Sequence, residues 1–192
     1  MPEGVMSNMR RHGSGQRQAS GAAGKTRSPA QGKQQASEDR VSQPTLDFEH
    51  GAYWANLYTD GASLGNPGAA GIGVVLTDEQ GNLLKEMSEP IGITTNNEAE
   101  YHALIRGLEL ARQLQITHLN WYSDSELVVK QVLGEYKVKQ PHLMRLLKQA
   151  REHVKAFTAF HPHHIPREQN TQADRLSKEG ASAVKRSSTN KR

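Results

Sequence analysis

The stretch Tyr58–Gly71, YTDGASLGNPGAAG, combines one acid with the residues that build tight turns. Asp60 closes the apolar run WANLYT, and four glycines and a proline lie within the eleven residues after it. Glycine takes up backbone angles that other residues avoid and lets another chain approach closely. The pattern predicts that Asp60 ends a strand and that a glycine-rich turn follows it.

The segments after this stretch alternate between strand and helix patterns. The runs AAGIGVVLTD and GNLLKEMSEPIG, joined by the loop DEQGN, predict two more strands in an antiparallel meander with the first. The rest of the sequence predicts a helix (NNEAEYHALIRGLELARQL), a strand that ends at Asp124 (THLNWYSD) and a second helix (SELVVKQVL). A further strand (AFTAFHPHHIP) and a last helix (REQNTQADRLSKEGASAV) follow. Strand and helix in alternation favour parallel pairing with right-handed crossovers, and therefore an α/β fold.

Two glutamates lie two residues apart at the start of the first predicted helix. Its apolar stripe runs from Ala103 to Leu114, and a step of four residues back from Leu104 places Glu100 on the same stripe. Glu98 falls on the polar side. A carboxylate on a core-facing stripe is costly unless it is paired or binds a metal. The alternative is a first-turn acid that favours the helix dipole and stays hydrated.

Asp124 and Asp174 complete a set of four acids at the ends of predicted elements. Asp124 follows a strand, and its alternative is a structural role inside a capping box, since Ser123 and Glu126 have that spacing around it. Asp174 lies in the first turn of the last helix. The carboxyl ends of central strands in an open α/β sheet form a ligand crevice. Carboxylates gathered there favour Mg²⁺ or Mn²⁺, and two such ions support phosphodiester hydrolysis.

Composition limits the class of protein. The 192 residues suffice for one ordinary core, and the absence of cysteine excludes disulfides and thiolate sites and fits a reducing compartment. No apolar run has the length of a membrane span, and the first residues lack the apolar block of a secretion signal. These features predict a soluble, cytoplasmic protein.

Charge is distributed unevenly along the chain. Residues 1–50 hold seven basic and five acidic side chains, residues 185–192 hold four basic ones, and the part between is slightly acidic. We predict a disordered basic tail at 1–50, a catalytic domain at 51–184 and a basic C-terminal tail at 185–192. The first tail is either a solvated segment or an arm for polyanions; a transit peptide is a third alternative.

Two further segments carry alternatives. Residues 137–155 predict a basic amphipathic helix, which is either a solvated surface or a phosphate-contacting face. His161 and His163 alternate onto one face of the last predicted strand and His164 onto the other, a pattern that argues against a structural metal.

Four segments in order resemble the successive motifs of type 1 ribonuclease H: YTDGASLGNPGAAGIGVVL, TTNNEAEYHALIRGLELA, YSDSELVVKQV and REQNTQADRLS. The resemblance spans roughly residues 54–183. It implies the ribonuclease H-like fold, a five-stranded mixed sheet with three antiparallel strands, then two parallel ones, and helices on both faces. It also implies endonucleolytic cleavage of the RNA strand of an RNA·DNA hybrid, leaving 5′-phosphate and 3′-hydroxyl ends.

The resemblance carries site residues onto this sequence. The catalytic carboxylates, which would also hold two Mg²⁺ ions, with Mn²⁺ as an alternative, are Asp60, Glu100, Asp124 and Asp174. The expected nucleic-acid contacts are Gly61, Ser63, Gly65, Asn66, Asn96, Asn97, Lys137 and Lys139. Glycine lets the hybrid approach closely, and asparagine can bond the 2′-hydroxyl that marks RNA.

The chain departs from the family pattern in two places. The loop IPREQN before Asp174 lacks the histidine found in many members, and Arg167 or Asn170 are candidate auxiliaries there. The long basic insertion of some members is also missing. We expect a monomeric enzyme with no obligate protein partner and no membrane association. The alternatives are an inactive nucleic-acid-binding module of the same fold and a nuclease for DNA junctions or free RNA.

Overall fold

The computed structural model describes residues 53–189, with side chains described as far as residue 186. The strands are β1 (Trp54–Gly65), β2 (Gly68–Asp78), β3 (Leu83–Thr94), β4 (His118–Ser123) and β5 (Ala159–His164). The helices are α1 (Asn96–Gln113), α2 (Glu126–Leu133), α3 (Pro141–Val154) and α4 (Thr171–Thr189), with a short 3-10 turn at Arg167–Gln169.

The five strands form one mixed sheet in the order β3-β2-β1-β4-β5. Strands β1, β2 and β3 pair antiparallel, whereas β4 pairs parallel with both β1 and β5. This is the predicted ribonuclease H-like architecture. The parallel register places Tyr58 beside Tyr122, so β1 continues past the end of β4. Asp60 on β1 and Asp124 just after β4 therefore lie at the same edge of the parallel pair.

Strand β1 corrects the first prediction, since Asp60 does not end it. The strand continues to Gly65, and the pairing with β2 runs without interruption from Ala55 to the Gly65–Gly68 pair. Glycine is depleted in strands because it has no side chain to pack. Here the missing side chain is what the fold requires: a Cβ at Gly61 would lie 2.2 Å from backbone atoms of Ala99 and Glu100. Helix α1 thus approaches the strand at contact distance.

Helices cover both faces of the sheet. On one face α1 and α3 close the main core, whose fully buried members include Leu57, Leu104 and Trp121. On the other face α4 packs against β2 and β3. A Cβ at Gly73 would lie 2.0 Å from the carbonyl oxygen of Ala173, so glycine also sets the closeness of this contact. A smaller cluster of Val75, Ala173 and Leu176 fills that side.

Other predicted elements agree with the structure in type and differ at their ends. The predicted capping box around Asp124 is wrong: helix α2 begins after Ser125, which makes no side-chain cap, and Ser123 Oγ instead accepts the Ser125 amide at 3.1 Å. The rings of His161 and His163 contact Trp54 and Tyr122 on one face of the sheet, as their alternation predicts.

Part of the predicted domain organisation lies outside the residues that the structure describes. Helix α4 continues to Thr189, so the first part of the predicted C-terminal tail is helical. The predicted tail at 1–50 lies outside the described residues. Among the helices of residues 53–189, none is both long and apolar enough to span a membrane.

Candidate active site

Asp60 is a nearly buried carboxylate in the middle of the sheet. It is 4% exposed, faces α4, and accepts a hydrogen bond from the hydroxyl of Ser177. Burial raises the pKa of Asp60 to about 6; the Ser177 bond opposes the shift, and the charges of Asp124 and Asp174 add to it. The fold therefore holds a carboxylate where its charge is disfavoured.

Glu100 approaches the same point from the other face. It is 6% exposed, and its Oε2 accepts the backbone N–H of Gly61 at 3.3 Å. Burial raises its pKa well above the ordinary value, with further contributions from Asp60 and Asp124. Glu98 is bound differently, inside the capping box of α1 with Thr95. The helical-face prediction, which placed Glu100 and not Glu98 toward the protein body, is confirmed.

Asp124 is oriented by an asparagine from the loop before α4. Asn170 Nδ2 donates to Asp124 Oδ1 at 2.7 Å and to the carbonyl of Thr59 at 3.0 Å. Asn170 is 2% exposed, and within the described residues its Oδ1 is buried without a hydrogen-bond partner. One side chain thus links the end of β4 to β1 and leaves a polar atom for a further contact.

Asp174, in the first turn of α4, is bound by two cations. Arg167 Nη2 donates to its Oδ1, and Lys178 Nζ donates to its Oδ2 at 2.5 Å. Burial alone would raise the pKa of Asp174, but the bonds from Lys178 and Arg167 outweigh it and lower that pKa. The charge of Arg167 also acts on Asp60 and Glu100, so this side chain faces the whole cluster.

The four carboxylates form one electrostatic unit, which we call the carboxylate cluster: Asp60, Glu100, Asp124 and Asp174. Asp60 interacts with Asp124 and Asp174, and Glu100 with Asp60 and Asp124. Within residues 53–189, no three histidine, aspartate or glutamate side chains are drawn together as a metal-binding group. Each acid is instead turned to a partner of its own.

The chemistry of this donor set nevertheless suits a hard divalent cation. All its ligand atoms are carboxylate oxygens, the type that Mg²⁺ and Mn²⁺ prefer. Two of the acids are buried with raised pKa values, and a cation beside them would favour their charged forms. Arg167 and Lys178 bind both oxygens of the fourth acid, Asp174, and a cation there would replace them. By the chemistry of their ligand atoms, the residues present fit the predicted metal.

Comparison with known proteins decides the family. The family profile described as reverse transcriptase-like matches residues 58–180. The chain is 42% identical over 124 residues to ribonuclease HI of Halobacterium salinarum, covering 65% of this chain and 62% of that protein. The chain belongs to the type 1 ribonuclease H family. It is also 43% identical over 132 residues to the bifunctional protein Rv2228c of Mycobacterium tuberculosis, but spans only 36% of that protein's length.

Solved structures of ribonucleases H superpose on the domain. The N-terminal RNase H domain of Rv2228c, solved as a fusion with maltose-binding protein, has a TM-score of 0.69 at 39% identity, covering 71% of this chain and 99% of that one. LC11-RNase H1, solved in complex with an RNA/DNA hybrid, has a TM-score of 0.65 at 44% identity, covering 68% of this chain and 98% of that one.

The residues predicted to contact nucleic acid lie in three groups. Asn66, at the β1–β2 hairpin, accepts the backbone N–H of Asn96 at 3.2 Å through its Oδ1. Asn97 lines a concave surface of about 190 Å³ together with Lys137 and Lys139. The remaining three lie along β1: Gly61 packs against α1, Ser63 Oγ donates to the Thr94 carbonyl at 2.8 Å, and Gly65 has φ +123°. Their contacts with nucleic acid stay a prediction.

Two partners of the cluster were missed from the sequence. Ser177 bonds Asp60, and Lys178 bonds Asp174. Ser177 and Lys178 follow Asp174 by three and four residues, so helical spacing places both on the same side of α4 as Asp174. That spacing was the available signal for Lys178. Nothing local connects Ser177 with Asp60, which lies 117 residues away.

Proposed function

We propose that this protein is an endonuclease that hydrolyses the RNA strand of RNA·DNA hybrids. The observation that carries the proposal is the carboxylate cluster itself, in which Asp60 and Glu100 are buried at raised pKa in a ribonuclease H fold. Perturbed acids gathered in this way are typical of catalytic sites. The proposal agrees with the complex of LC11-RNase H1, whose solved structure contains an RNA/DNA hybrid.

The four carboxylates are the proposed ligands of two divalent cations, Mg²⁺ or alternatively Mn²⁺. When bound, such ions lower the pKa of a water and neutralise the charge that develops on the departing oxygen. The chain's own contribution is to fix the ligands. Gly61 holds Glu100, Asn170 holds Asp124, and Ser177 holds Asp60.

The proposed reaction is a hydrolytic displacement at phosphorus. A water oxygen gives up a proton to solvent and forms the new bond to phosphorus while the bond between phosphorus and the 3′-oxygen breaks. The departing oxygen takes a proton to become a 3′-hydroxyl, and the phosphate stays on the 5′ end. Arg167 lies in the loop that lacks a histidine, and its charge acts on the carboxylate cluster. This side chain is therefore placed to balance the charge of the phosphate.

Hybrid recognition is proposed for the two asparagine groups beside the cluster. Asn66 and Asn96 fix the hairpin to the start of α1, and Asn97 lies near Lys137 and Lys139. Side-chain amides distinguish a 2′-hydroxyl, and lysines bind phosphate without regard to sequence. One chain supplies all four acids of the proposed site, and a monomer is the proposed state of the enzyme.

The test is cleavage of an end-labelled RNA·DNA hybrid beside matched double-stranded RNA, double-stranded DNA and single-stranded RNA. Reactions contain Mg²⁺, Mn²⁺ or EDTA, and Glu100→Gln is compared with Glu135→Gln, a change at an exposed glutamate outside the cluster. We expect the wild type and Glu135→Gln to cut the hybrid's RNA strand when metal is present. Glu100→Gln should not cut it. Hybrid binding without any cleavage by the wild type would favour the binding-module alternative instead.

A further inference from the structure

A second concave surface lies beside the loop that follows α2. It has a volume of about 600 Å³, is formed between residues 134–138 and α3, and includes none of the four clustered acids in its lining. We call it the α3 groove. Lys137 and Val138 also line the smaller concavity that holds Asn97, so the two concavities adjoin at this loop.

The floor and walls of the α3 groove are apolar. Leu147 and Val138 lie in its lining, and Tyr136 and Met144 stand beside them with 47% and 53% of their surface exposed. Lys130 places its Nζ 4.9 Å from the centre of the Tyr136 ring and donates to its hydroxyl at 3.3 Å. The ring is thereby held in place by a cation. Large exposed apolar side chains gathered in a concavity mark an interaction site.

The rim of the α3 groove is basic. It carries Lys137, Lys148, Arg151 and Lys155 against the single acid Glu152, and that acid is bonded by Lys155 at 2.9 Å. The Arg151 guanidinium is fixed by donating through Nη2 to the carbonyls of Gln131 and Val132 at 3.2 and 3.4 Å. A cation that is already ordered loses little conformational freedom when it binds a partner.

We propose that the α3 groove docks an acidic peptide segment of a partner protein that alternates carboxylates with large apolar side chains. Charge complementarity selects the carboxylates for the rim, and the apolar floor requires side chains that can be buried there. A nucleic acid would satisfy the basic rim, but its hydrated phosphates would not fill the apolar floor formed by Val138, Met144 and Leu147. The combination therefore favours a peptide over a polynucleotide.

The probe is a short fluorescein-labelled peptide that alternates aspartate with leucine and phenylalanine. Its binding to the full chain is measured by anisotropy, beside the same peptide with serine at the apolar positions and a single-stranded DNA of equal charge. We expect saturable binding of the first peptide and at least about tenfold weaker binding of the serine peptide, because each buried apolar side chain contributes more than 1.4 kcal/mol.

Three variants locate the binding. Met144→Asp removes one wall of the groove, and Lys148→Glu reverses one charge of the rim; each is expected to weaken peptide binding about tenfold or more. Leu83→Asp is the matched control, since Leu83 lies on β3 and is 52% exposed, almost as much as Met144. It should change binding by less than about twofold. Thermal melting checks that each variant folds, and Lys148→Glu carries the test if Met144→Asp does not.

The proposal fails on any of three results. These are no saturable binding of the acidic–apolar peptide, equal binding of the serine peptide, or DNA binding that is tighter than peptide binding and equally weakened by Met144→Asp. The last result would identify the groove as a polyanion surface. The first two results leave the proposed hybrid cleavage untouched, since cleavage uses the carboxylate cluster, whereas the third would extend the proposed nucleic-acid surface from Lys137 into the groove.

Discussion

The first turn of α1 holds two glutamates whose surroundings are opposite. Glu98 lies at the capped helix start, where it accepts hydrogen bonds from the Thr95 backbone N–H at 3.1 Å and from the hydroxyls of Thr94 and Thr95. Those bonds, the one from Thr94 first, lower its pKa to about 2. Glu100 is buried in the carboxylate cluster with one backbone donor and a raised pKa. One acid stabilises the fold, and the other is kept at a cost to it.

The difference separates Glu98 from the two buried acids of the cluster. Glu98 is surrounded by donors that favour its charged form, so its pKa falls. Asp60 and Glu100 have fewer donors than their burial demands, and other acids lie nearby. The proposed cation would offset that cost. Removing one of these two buried acids should therefore lower activity and raise the stability of the metal-free protein, whereas removing Glu98 should lower stability and leave activity almost unchanged.

Asp60→Asn should have the largest effect. The change removes a proposed metal ligand, which is worth several kcal/mol of transition-state stabilisation, so hybrid cleavage should fall at least about a thousandfold. The metal-free protein should become more stable at neutral pH, because a neutral amide replaces a buried charge that is disfavoured there. Cleavage assays in Mg²⁺ and thermal melting in EDTA measure the two effects.

The control for Asp60→Asn is Asp78→Asn, at an aspartate in the β2–β3 hairpin. Its side chain accepts the Asn82 amide at 2.8 Å, and its pKa is lowered. Asp78→Asn should leave cleavage almost unchanged and give no gain in stability. If Asp60→Asn kept wild-type cleavage, the metal-site assignment would be wrong; if it melted at a lower temperature, the cost assigned to Asp60 would be wrong.

The stability of the metal-free protein should depend on pH in a way that distinguishes the buried acid Asp60 from the capping acid Glu98. The pKa of Asp60 is about 6 when folded and 3.8 as an ordinary aspartate, so between these values the folded state binds more protons. Its contribution is present below about pH 4 and is lost as the pH rises through 6, at most about 3 kcal/mol. Urea unfolding in EDTA should show the stability gain of Asp60→Asn increasing from pH about 4 to pH about 7. A gain that is constant with pH would contradict the raised pKa.

The sequence predicts part of this arrangement of acids and not the rest. The choice of Glu100 over Glu98 required only helical periodicity, because burial follows the stripe of α1. The end of β1 could not be predicted in this way. Glycines at 61, 65 and 68 favour a turn locally, but the strand continues because α1 fits against Gly61 and β2 pairs as far as Gly68. Contacts between distant segments, such as Ser177 with Asp60, carry no local signal at all.

Asn170→Ala should have an intermediate effect, since Asn170 touches both the cluster and the core. The change removes its bonds to Asp124 and to the carbonyl of the buried Thr59. Loss of the bond that orients Asp124 should reduce cleavage about tenfold, and stability should fall by about 1–3 kcal/mol. Asn170→Asp, of the same shape, places a second carboxylate beside Asp124.

The pair of Asn170 variants distinguishes orientation from packing. If Asn170 acts by donating to Asp124, both variants lose cleavage, and the loss in Asn170→Asp is greater at pH about 8 than at pH about 5, where protonation can restore a donor. Equal losses at both pH values would show that the asparagine only fills space. Gln169→Ala, at an exposed neighbour, should leave both properties unchanged.

Glu98→Ala should have the smallest effect on activity and a defined effect on stability. It removes one half of the capping box with Thr95, so stability should fall by about 1 kcal/mol, while cleavage should change by less than about threefold. Glu98→Gln, which keeps an acceptor for the same donors, should lose less. Because the folded pKa of Glu98 is lowered to about 2, its contribution is present above pH 4.5 and lost as the pH falls through 2. The unfolding free energy of the wild type minus that of Glu98→Ala should therefore be positive at neutral pH and fall with acid. The wild type minus Asp60→Asn should be negative at neutral pH and rise with acid. Signed differences that move in the same direction would remove the distinction between the two kinds of acid.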